Sequence, residues 1–252
     1  MSPAELRRLR LRHQSLVGSA HRTPAAVVAA LVAVQAQEYA MAKWAVGLRL
    51  PGATDATVEA AFNIGAILRT HALRPTWHFV APADIRWLLA LTAPRVRALL
   101  AYEDRKLELD AKTIRRATRV VARALADGQF LTRAELATAL RRAGIAAAGT
   151  RLGRICIHAE LDAAICSGPR RGKQFTYALL DARVPATKSL TRDAALAQLA
   201  HRYFASRGPA TAHDFAWWSG LTVADARTGI ATLGRDFAHE MIGGANYVLP
   251  SR

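Results

Sequence analysis

The tripeptide Gln35-Ala36-Gln37, directly after an apolar run, is the group of residues in this sequence best suited to chemistry. A glutamine amide offers one acceptor and two donors without charge, so two amides on one side could orient a water molecule. Residues two apart lie on nearly opposite faces of a helix but on one face of an extended segment. The two amides can therefore act together only if the preceding helix ends near Val34.

A glutamine pair is weak evidence by itself, since two glutamines at a helix end are usually ordinary polar residues. The motifs of other common catalytic sites are absent, namely GxSxG, GxxxxGK[ST], GxGxxG and HExxH. The acid pair Glu103-Asp104 falls in a charged helix, where we expect both side chains to face solvent. The remaining evidence must come from charge and organisation.

The charge of the chain points to a polyanionic partner. Its 252 residues contain 35 Lys and Arg against 19 Asp and Glu, a net charge of +16. Thirteen of the basic residues but only four of the acidic ones lie between positions 111 and 180. A GC-rich genome explains the excess of Arg over Lys, but it does not explain this local scarcity of acids. A polyanion, most often nucleic acid, is therefore the expected partner, and the element order given below favours double-stranded DNA.

Cysteine and histidine spacing gives no sign of a metal site or of a disulfide framework. The two cysteines, Cys156 and Cys166, form no CxxC pair, and the eight histidines show no ligand spacing. We therefore predict no metal and no cofactor. The low cysteine content fits a reducing cytoplasm, and we expect a monomer in the cytoplasm, associated with the nucleoid.

The amino terminus superficially resembles a signal peptide, because arginines precede the apolar run Ala25–Val34. Ten residues are too few for a membrane span, which needs about 18. Thr23-Pro24 before the run is a helix-start signal. We predict a buried helix of a soluble protein that does not bind a membrane.

The coarse pattern predicts a mainly α protein with short β-hairpins. Helices are expected over 3–17, 24–34, 39–50, 56–68, 82–91, 94–108, 111–126, 133–143, 150–163, 192–206, 212–219 and 223–233, and hairpins over 69–80, 164–180 and 237–249. Capping boxes at Thr132–Glu135, Thr211–Asp214 and Thr222–Asp225 set helix starts, and Gly243-Gly244 sets a hairpin turn.

A weak repeat of three helices followed by a hairpin is the order of a winged helix, a variant of helix-turn-helix. We predict three tandem winged-helix units that form a concave DNA-binding surface. They cover residues 1–110 with the glutamine pair, the strongly basic residues 111–188, and residues 189–252. The five tryptophans and Phe215 are expected to lie in the core.

Candidate DNA contacts cluster in the middle unit. Arg151, Arg154 and His158 share one face of its third helix at spacing i, i+3 and i+7. At its hairpin tip, Arg170, Arg171 and Lys173 suit phosphates or the minor groove. The alternative is that the tip is simply a solvated charged turn.

In the first hairpin, Arg74 and His78 are further candidate DNA contacts. The alternative for His78 is a half-buried histidine whose hydrogen bonds are satisfied within the protein.

Long stretches of the sequence resemble the AlkZ/YcaQ-like family of winged-helix DNA glycosylases. The resemblance covers nearly the whole chain, and its most specific part runs from Tyr203-Phe204 through Gly208-Pro-Ala-Thr211 to Asp214-Phe-Ala-Trp-Trp-Ser-Gly-Leu-Thr222. Other matching stretches are Val34–Glu38, Arg69-Thr70, Arg74–His78, Leu131–Leu136, Gly168–Tyr177 and Arg183–Pro185.

The resemblance implies three winged helices around DNA and a catalytic QΦQ or QΦD motif, where Φ is apolar; Gln35 and Gln37 match the first form. It implies hydrolysis of the N-glycosidic bond of N7-alkylated guanine, including some interstrand crosslinks. Family members generally continue into a C-terminal β-rich domain, which we expect to be absent here. The competing hypothesis is a non-catalytic DNA-binding protein such as a transcriptional regulator, and generic architectural binding is a third.

Overall fold

Helices make up most of the chain and short antiparallel sheets lie between them, in a computed structural model that describes residues 1–251. The prediction of a mainly α protein with short hairpins is confirmed. Arg252, the last residue of the predicted third unit, lies outside the described residues. The unit boundaries at 110 and 188 remain predictions.

The first group of elements carries the glutamine pair. After α1 (Pro3–His13) it contains α2 (Pro24–Leu31), β1 (Ala33–Gln35), α3 (Tyr39–Gly47), α4 (Asp55–Asn63), β2 (Leu68–His71) and β3 (Trp77–Val80). Its sheet has the order β1-β3-β2, so β1 is an edge strand, with Gln35 opposite His78. Phe62 and Phe79 lie at the centre of its core.

The second group follows one long helix, α5 (Pro82–Lys106), and repeats the order of the first. It contains α6 (Ala111–Ala124), β4 (Leu131–Thr132), α7 (Arg133–Arg142), α8 (Gly149–Leu161), β5 (Ile165–Ser167) and β6 (Thr176–Leu179). Its sheet order, β4-β6-β5, matches that of the first group element for element. Thr132 caps α7 in the predicted capping box with Glu135.

The third group follows a short helix, α9 (Leu180–Arg183). It contains α10 (Arg192–Arg207), α11 (Ala212–Ser219), α12 (Val223–Ala231), β7 (Phe237–Ile242) and β8 (Ala245–Pro250). A single bridge between Ala210 and Val248 takes the place of the third strand. Gly243 and Gly244 both have positive φ, as the predicted two-residue hairpin turn requires.

Close packing joins the third group to the first hairpin. Gly220 ends α11 with φ of 69°, and a Cβ built on it would lie 2.2 Å from the carbonyl oxygen of Leu73. Only glycine permits this conformation and this approach together. One apolar core accordingly contains residues of α5, of α10 to α12 and of the first sheet.

Two predictions about the helices need correction. Residues 82–91 and 94–108 form the single helix α5, with Pro94 inside it. Proline removes one backbone hydrogen bond, but apolar side chains on both sides of it, such as Leu89 and Val96, are buried and keep the two halves packed. Asp104 near the end of α5 is also buried rather than facing solvent.

The aromatic residues divide between core and surface. Trp87 and Phe215 are buried as predicted, but Trp44 is 64% exposed and Trp217 is 73% exposed. The expectation that all five tryptophans belong to the core was wrong for these two. Trp44 is on the outer side of α3, and the face of Trp217 is covered by the guanidinium of Arg74 at 4.8 Å.

Candidate active site

A strained residue separates the apolar helix α2 from the strand that carries the glutamines. Val32 is fully buried and has φ of 65°, a conformation rare for a β-branched residue. It ends α2 at Leu31, so Ala33 already belongs to β1. The helix therefore ends before Val34, as joint action of the two amides requires.

The two glutamines point to the same side of the chain. Gln35 and Gln37 are exposed, whereas Ala36 between them is 0% exposed and belongs to the core of the first group. This alternation is that of an extended segment with one buried face. An apolar residue in the middle position thus anchors the segment and leaves both amides accessible.

Backbone hydrogen bonds and one arginine fix the segment in place. Ala36 N donates to Trp77 O at 2.7 Å, and Trp77 N lies 3.5 Å from Gln37 Oε1. The guanidinium of Arg69 donates from Nε to Ala36 O at 3.0 Å and from Nη2 to Gln37 O at 3.5 Å. The carbonyl groups beside both glutamines are therefore held by one buried cation.

Aromatic rings hold that guanidinium. Its carbon lies 4.1 Å from the ring centre of Trp77 and 4.4 Å from that of Phe175, which belongs to the second hairpin. Burial lowers the pKa of Arg69 to about 10, so it remains a cation at neutral pH. Arg69 N also donates to Ser167 Oγ at 2.8 Å, which ties β2 to the second group.

A second guanidinium holds the other end of β1. Arg207, from the end of α10, donates from Nη2 to Ala33 O at 3.0 Å and lies 4.3 Å from the ring centre of Trp218. Burial of the guanidinium lowers its pKa to about 10. The segment is thus held at the glutamine end by Arg69 of the first group, which Phe175 and Ser167 of the second group contact, and at the other end by Arg207 of the third group.

His78, a predicted DNA contact, is 2% exposed. Its Nδ1 is bonded to Thr76 O at 2.9 Å, and burial lowers its pKa to about 3, so it is neutral at physiological pH. It presents almost no surface to a ligand, which corrects the expectation that it lines an open DNA face. The side chains of His78 and Gln35 share one face of the sheet, but His78 lies in the central strand β3, where neighbouring elements cover it, whereas Gln35 ends the edge strand β1.

The three cations predicted at the second hairpin tip have different surroundings. Arg170 packs between the first group and the hairpin, its guanidinium 5.0 Å from the ring centre of Tyr39 and 4.3 Å from that of Phe175. Arg171 pairs with Glu135 at 2.8 Å. Lys173 is exposed and lies beside a cavity described below.

The predicted basic face of α8 does not form an open surface. His158 is 4% exposed and its Nε2 lies 2.9 Å from Asp104 Oδ2, while Arg154 is half-buried near the same carboxylate. Arg151 donates to Leu107 O. The helical spacing placed the three side chains on one face as predicted, but that face packs against the end of α5.

Several residues around the glutamines were not predicted as site residues. Arg69 and Trp77 occur in the stretches that carry the family resemblance, and this was the available signal. Arg133 also lies in such a stretch, Leu131–Leu136, and Arg207 directly precedes another, but the role of each depends on contacts between residues distant in sequence.

Within residues 1–251, no group of three or more His, Cys, Asp or Glu side chains is arranged to hold a metal ion. Cys156 and Cys166 are buried free thiols. In the same part of the chain, no helix has the length and apolar character needed to cross a membrane.

Comparison with known proteins identifies the family of this chain. The sequence pattern of the family described as DNA glycosylase AlkZ-like matches residues 28–251, a range that includes both glutamines. The chain belongs to the AlkZ-like DNA glycosylase family. The AlkZ-like pattern extends over all three groups of elements.

One curated relative is the interstrand DNA cross-link repair glycosylase of Streptomyces sahachiroi. It is 28% identical over 219 residues, which cover 84% of this chain and 59% of the relative. The chain thus spans less than two thirds of that protein's length. The solved structure of Streptomyces sahachiroi DNA glycosylase AlkZ has the same fold, with a TM-score of 0.83 at 24% identity over 100% of this chain and 70% of the other.

Proposed function

We propose that this chain is a DNA glycosylase that hydrolyses the N-glycosidic bond of N7-alkylated guanine in double-stranded DNA, interstrand crosslinks included. The observation that carries the proposal is the strand edge at Gln35 and Gln37. Both amides are exposed on one side, and the carbonyls next to them are held by Arg69. Family membership and the excess of positive charge support it.

The amides suit this substrate. An N7-alkylated guanine carries a positive charge, so its departure as a leaving group needs little further activation. The rate gain from a strong general base, on the order of 10²–10⁴, is then partly dispensable. Gln35 and Gln37 would orient a water molecule towards the anomeric carbon, with Gln37 Oε1 turned towards Trp77 N.

We further propose that the three groups of elements are tandem winged helices around a concave DNA-binding surface, with boundaries near residues 110 and 188. Support comes from the order helix, strand, helix, helix and hairpin, which the first two groups share with identical sheet order. Arg74, Arg170, Arg171 and Lys173 remain proposed DNA contacts. The buried His78 and His158, together with Arg151 and Arg154, are left out of the proposed interface.

Base release tests the proposal directly. The protein is incubated with a duplex containing N7-methylguanine, and free base is measured for the wild type, the single Gln→Ala variants and the double variant. We expect the double variant to lose about 100-fold or more in rate, because water positioning is lost. Its stability and DNA affinity should be unchanged, since both side chains are exposed.

Gln129→Ala is the matched control, because Gln129 is an exposed glutamine in the turn before β4. It should release base at the wild-type rate. Normal release by the double variant would falsify the assignment of Gln35 and Gln37. Binding of the duplex by wild type without any release would favour a non-catalytic DNA-binding protein.

A further inference from the structure

A cavity of about 390 Å³ lies directly beside the glutamine strand, between the first and second groups of elements. Its walls include Arg69 and Trp77 from the first hairpin, Arg133 at the start of α7, and Lys173 and Phe175 from the second hairpin. Trp77, one of these walls, has its backbone N 3.5 Å from Gln37 Oε1, so the same residue contacts the cavity and the glutamine. Whatever occupies the cavity therefore lies next to the proposed reaction site.

The cavity is positively charged and no carboxylate lines its walls, although the buried Glu160 behind it attracts Arg69 and Arg133. Arg69, Arg133 and Lys173 all line it, and none of them is in any ion pair of the described residues. Arg133 donates only to a neutral group, Tyr177 Oη, at 3.2 Å. Three cations that repel one another are stabilised by a bound anion.

The aromatic walls do not offer a base-stacking surface. Arg69 covers the rings of Trp77 and Phe175, Arg133 lies 5.7 Å from the ring centre of Trp77, and the His71 ring lies 4.5 Å from it. A nucleobase would have to displace these groups. A cationic N7-alkylated guanine would in addition be repelled by the three charges.

We propose that this cavity binds one phosphodiester group of the DNA backbone, with Arg133 and Lys173 as its principal ligands. The bound phosphate sets the register of the duplex, so that the sugar of the damaged nucleotide lies beside Gln37. Arg69 contributes charge but already donates to the carbonyls of the glutamine segment. The inference rests on the proposed function, since it takes DNA as the substrate.

The salt dependence of binding to an undamaged duplex tests the site without using activity. Each phosphate contact contributes about 0.9 to the slope of log affinity against log salt. We expect Arg133→Gln and Lys173→Gln each to lower the slope by up to about 0.9 and the affinity several-fold. Lys173 is exposed, so its variant folds normally even where Arg133→Gln loses the contact to Tyr177.

Arg141→Gln is the matched control, because Arg141 is an exposed cation in the last turn of the same helix, α7. It removes the same charge at the far end of the helix and should leave the slope near the wild-type value. Wild-type slope and affinity in both cavity variants would overturn the proposal. An equal loss in the control would do so too, because it would indicate general charge attraction.

A methylphosphonate walk then locates the phosphate. Neutral methylphosphonates replace single phosphates around N7-methylguanine, and base release is measured with the wild type and with Arg133→Gln. We expect one position near the lesion to slow the wild type about tenfold while leaving the already slower variant almost unaffected. Uniform small effects at every position would contradict a discrete site.

The two arms separate this inference from the proposed function. If base release fails but the salt slopes change as expected, the phosphate site stands and the glycosylase does not. Inorganic phosphate is the remaining probe, titrated against the intrinsic tryptophan fluorescence. The proposal would be overturned if phosphate binds saturably while Arg133→Gln and Lys173→Gln leave the salt dependence of DNA binding unchanged. The cavity would then be a site for a free anion and not for DNA.

Discussion

Two clefts lie beside β1, and they differ in whether their cations are paired with carbonyl or carboxylate groups of the protein. The cleft towards the second group contains Arg69, Arg133 and Lys173 and no carboxylate. The cleft towards the third group, about 240 Å³ in volume, contains Arg10 and Arg207 together with Asp214. Arg10 donates to Pro209 O at 2.8 Å and lies 3.5 Å from Asp214 Oδ2.

The difference separates structural from ligand-binding cations. In the third-group cleft, each guanidinium ends on a carbonyl or a carboxylate of the protein itself. In the second-group cleft, neither Arg133 nor Lys173 is in an ion pair of the described residues; Arg133 donates to the neutral hydroxyl of Tyr177 and is attracted by the buried Glu160 only from beyond ion-pair distance. Positive charge by itself therefore does not identify a DNA contact. The fold must show whether the cation is already bound to a carbonyl or carboxylate of the protein.

The largest expected effect is on stability, in the third-group cleft. Arg207→Leu leaves Ala33 O without its donor and removes the contact to Trp218, so we expect the free energy of unfolding to fall by about 3 kcal/mol. Arg133→Gln should cost no more than about 1 kcal/mol, for one hydrogen bond. Urea unfolding of both variants measures the contrast, and equal losses would remove the distinction between the clefts.

The next effect concerns Arg69, which serves both the cleft and the strand. Arg69→Lys keeps the charge but lacks the planar fork that reaches Ala36 O and Gln37 O from two nitrogens, so the segment is held less firmly. We expect kcat for base release to fall about 30-fold with little change in KM, as for a misplaced catalytic group. A fall in DNA affinity with kcat intact would instead assign Arg69 to binding alone.

His78, which lies between the two clefts, gives a pH-dependent effect on stability. Burial lowers its pKa to about 3. Below pH 6.5 the unfolded chain therefore binds a proton at His78 that the folded chain does not bind. The free energy of unfolding therefore decreases as the pH falls, by about 1.4 kcal/mol at pH 5.5 relative to neutral pH. Unfolding of wild type and His78→Phe from pH 7.5 to 5.5 isolates this term, since the variant should lack it.

The smallest expected effect follows from removing the carboxylate of the third-group cleft, which makes it resemble the second-group cleft. Asp214→Asn removes the carboxylate beside Arg10 but keeps an amide oxygen that can still accept from Thr211 N in the capping box of α11. We expect DNA affinity at low salt to rise about threefold, because one cation is released from its pair. An unchanged affinity would indicate that this cleft does not face DNA.

Local sequence signals predicted much of the secondary structure. The Thr132–Glu135, Thr211–Asp214 and Thr222–Asp225 boxes form as predicted, because capping depends on residues three apart. The hairpin at Gly243-Gly244 depends in the same way on two adjacent glycines. Such signals need no knowledge of the rest of the fold.

Helical periodicity was less informative about surfaces. It correctly put Arg151, Arg154 and His158 on one face. It could not show that Asp104, some 50 residues earlier in the chain, packs against that face. The same limit applies to Trp217, which the sequence favours as a core residue and the fold exposes. Whether a face is covered depends on which distant element packs there.

By itself, the sequence determined the element types, the excess of positive charge and the pair of amides that share a side once the chain is extended. Only the tertiary structure decided that α2 ends at Leu31, that Arg69 and Arg207 hold the segment at β1 from opposite ends, and which cations lack an ion-pair partner. The physical reason is the separation along the chain over which each interaction acts. Capping and alternation act over a few residues, whereas charge compensation and burial depend on contacts between segments that only folding brings together.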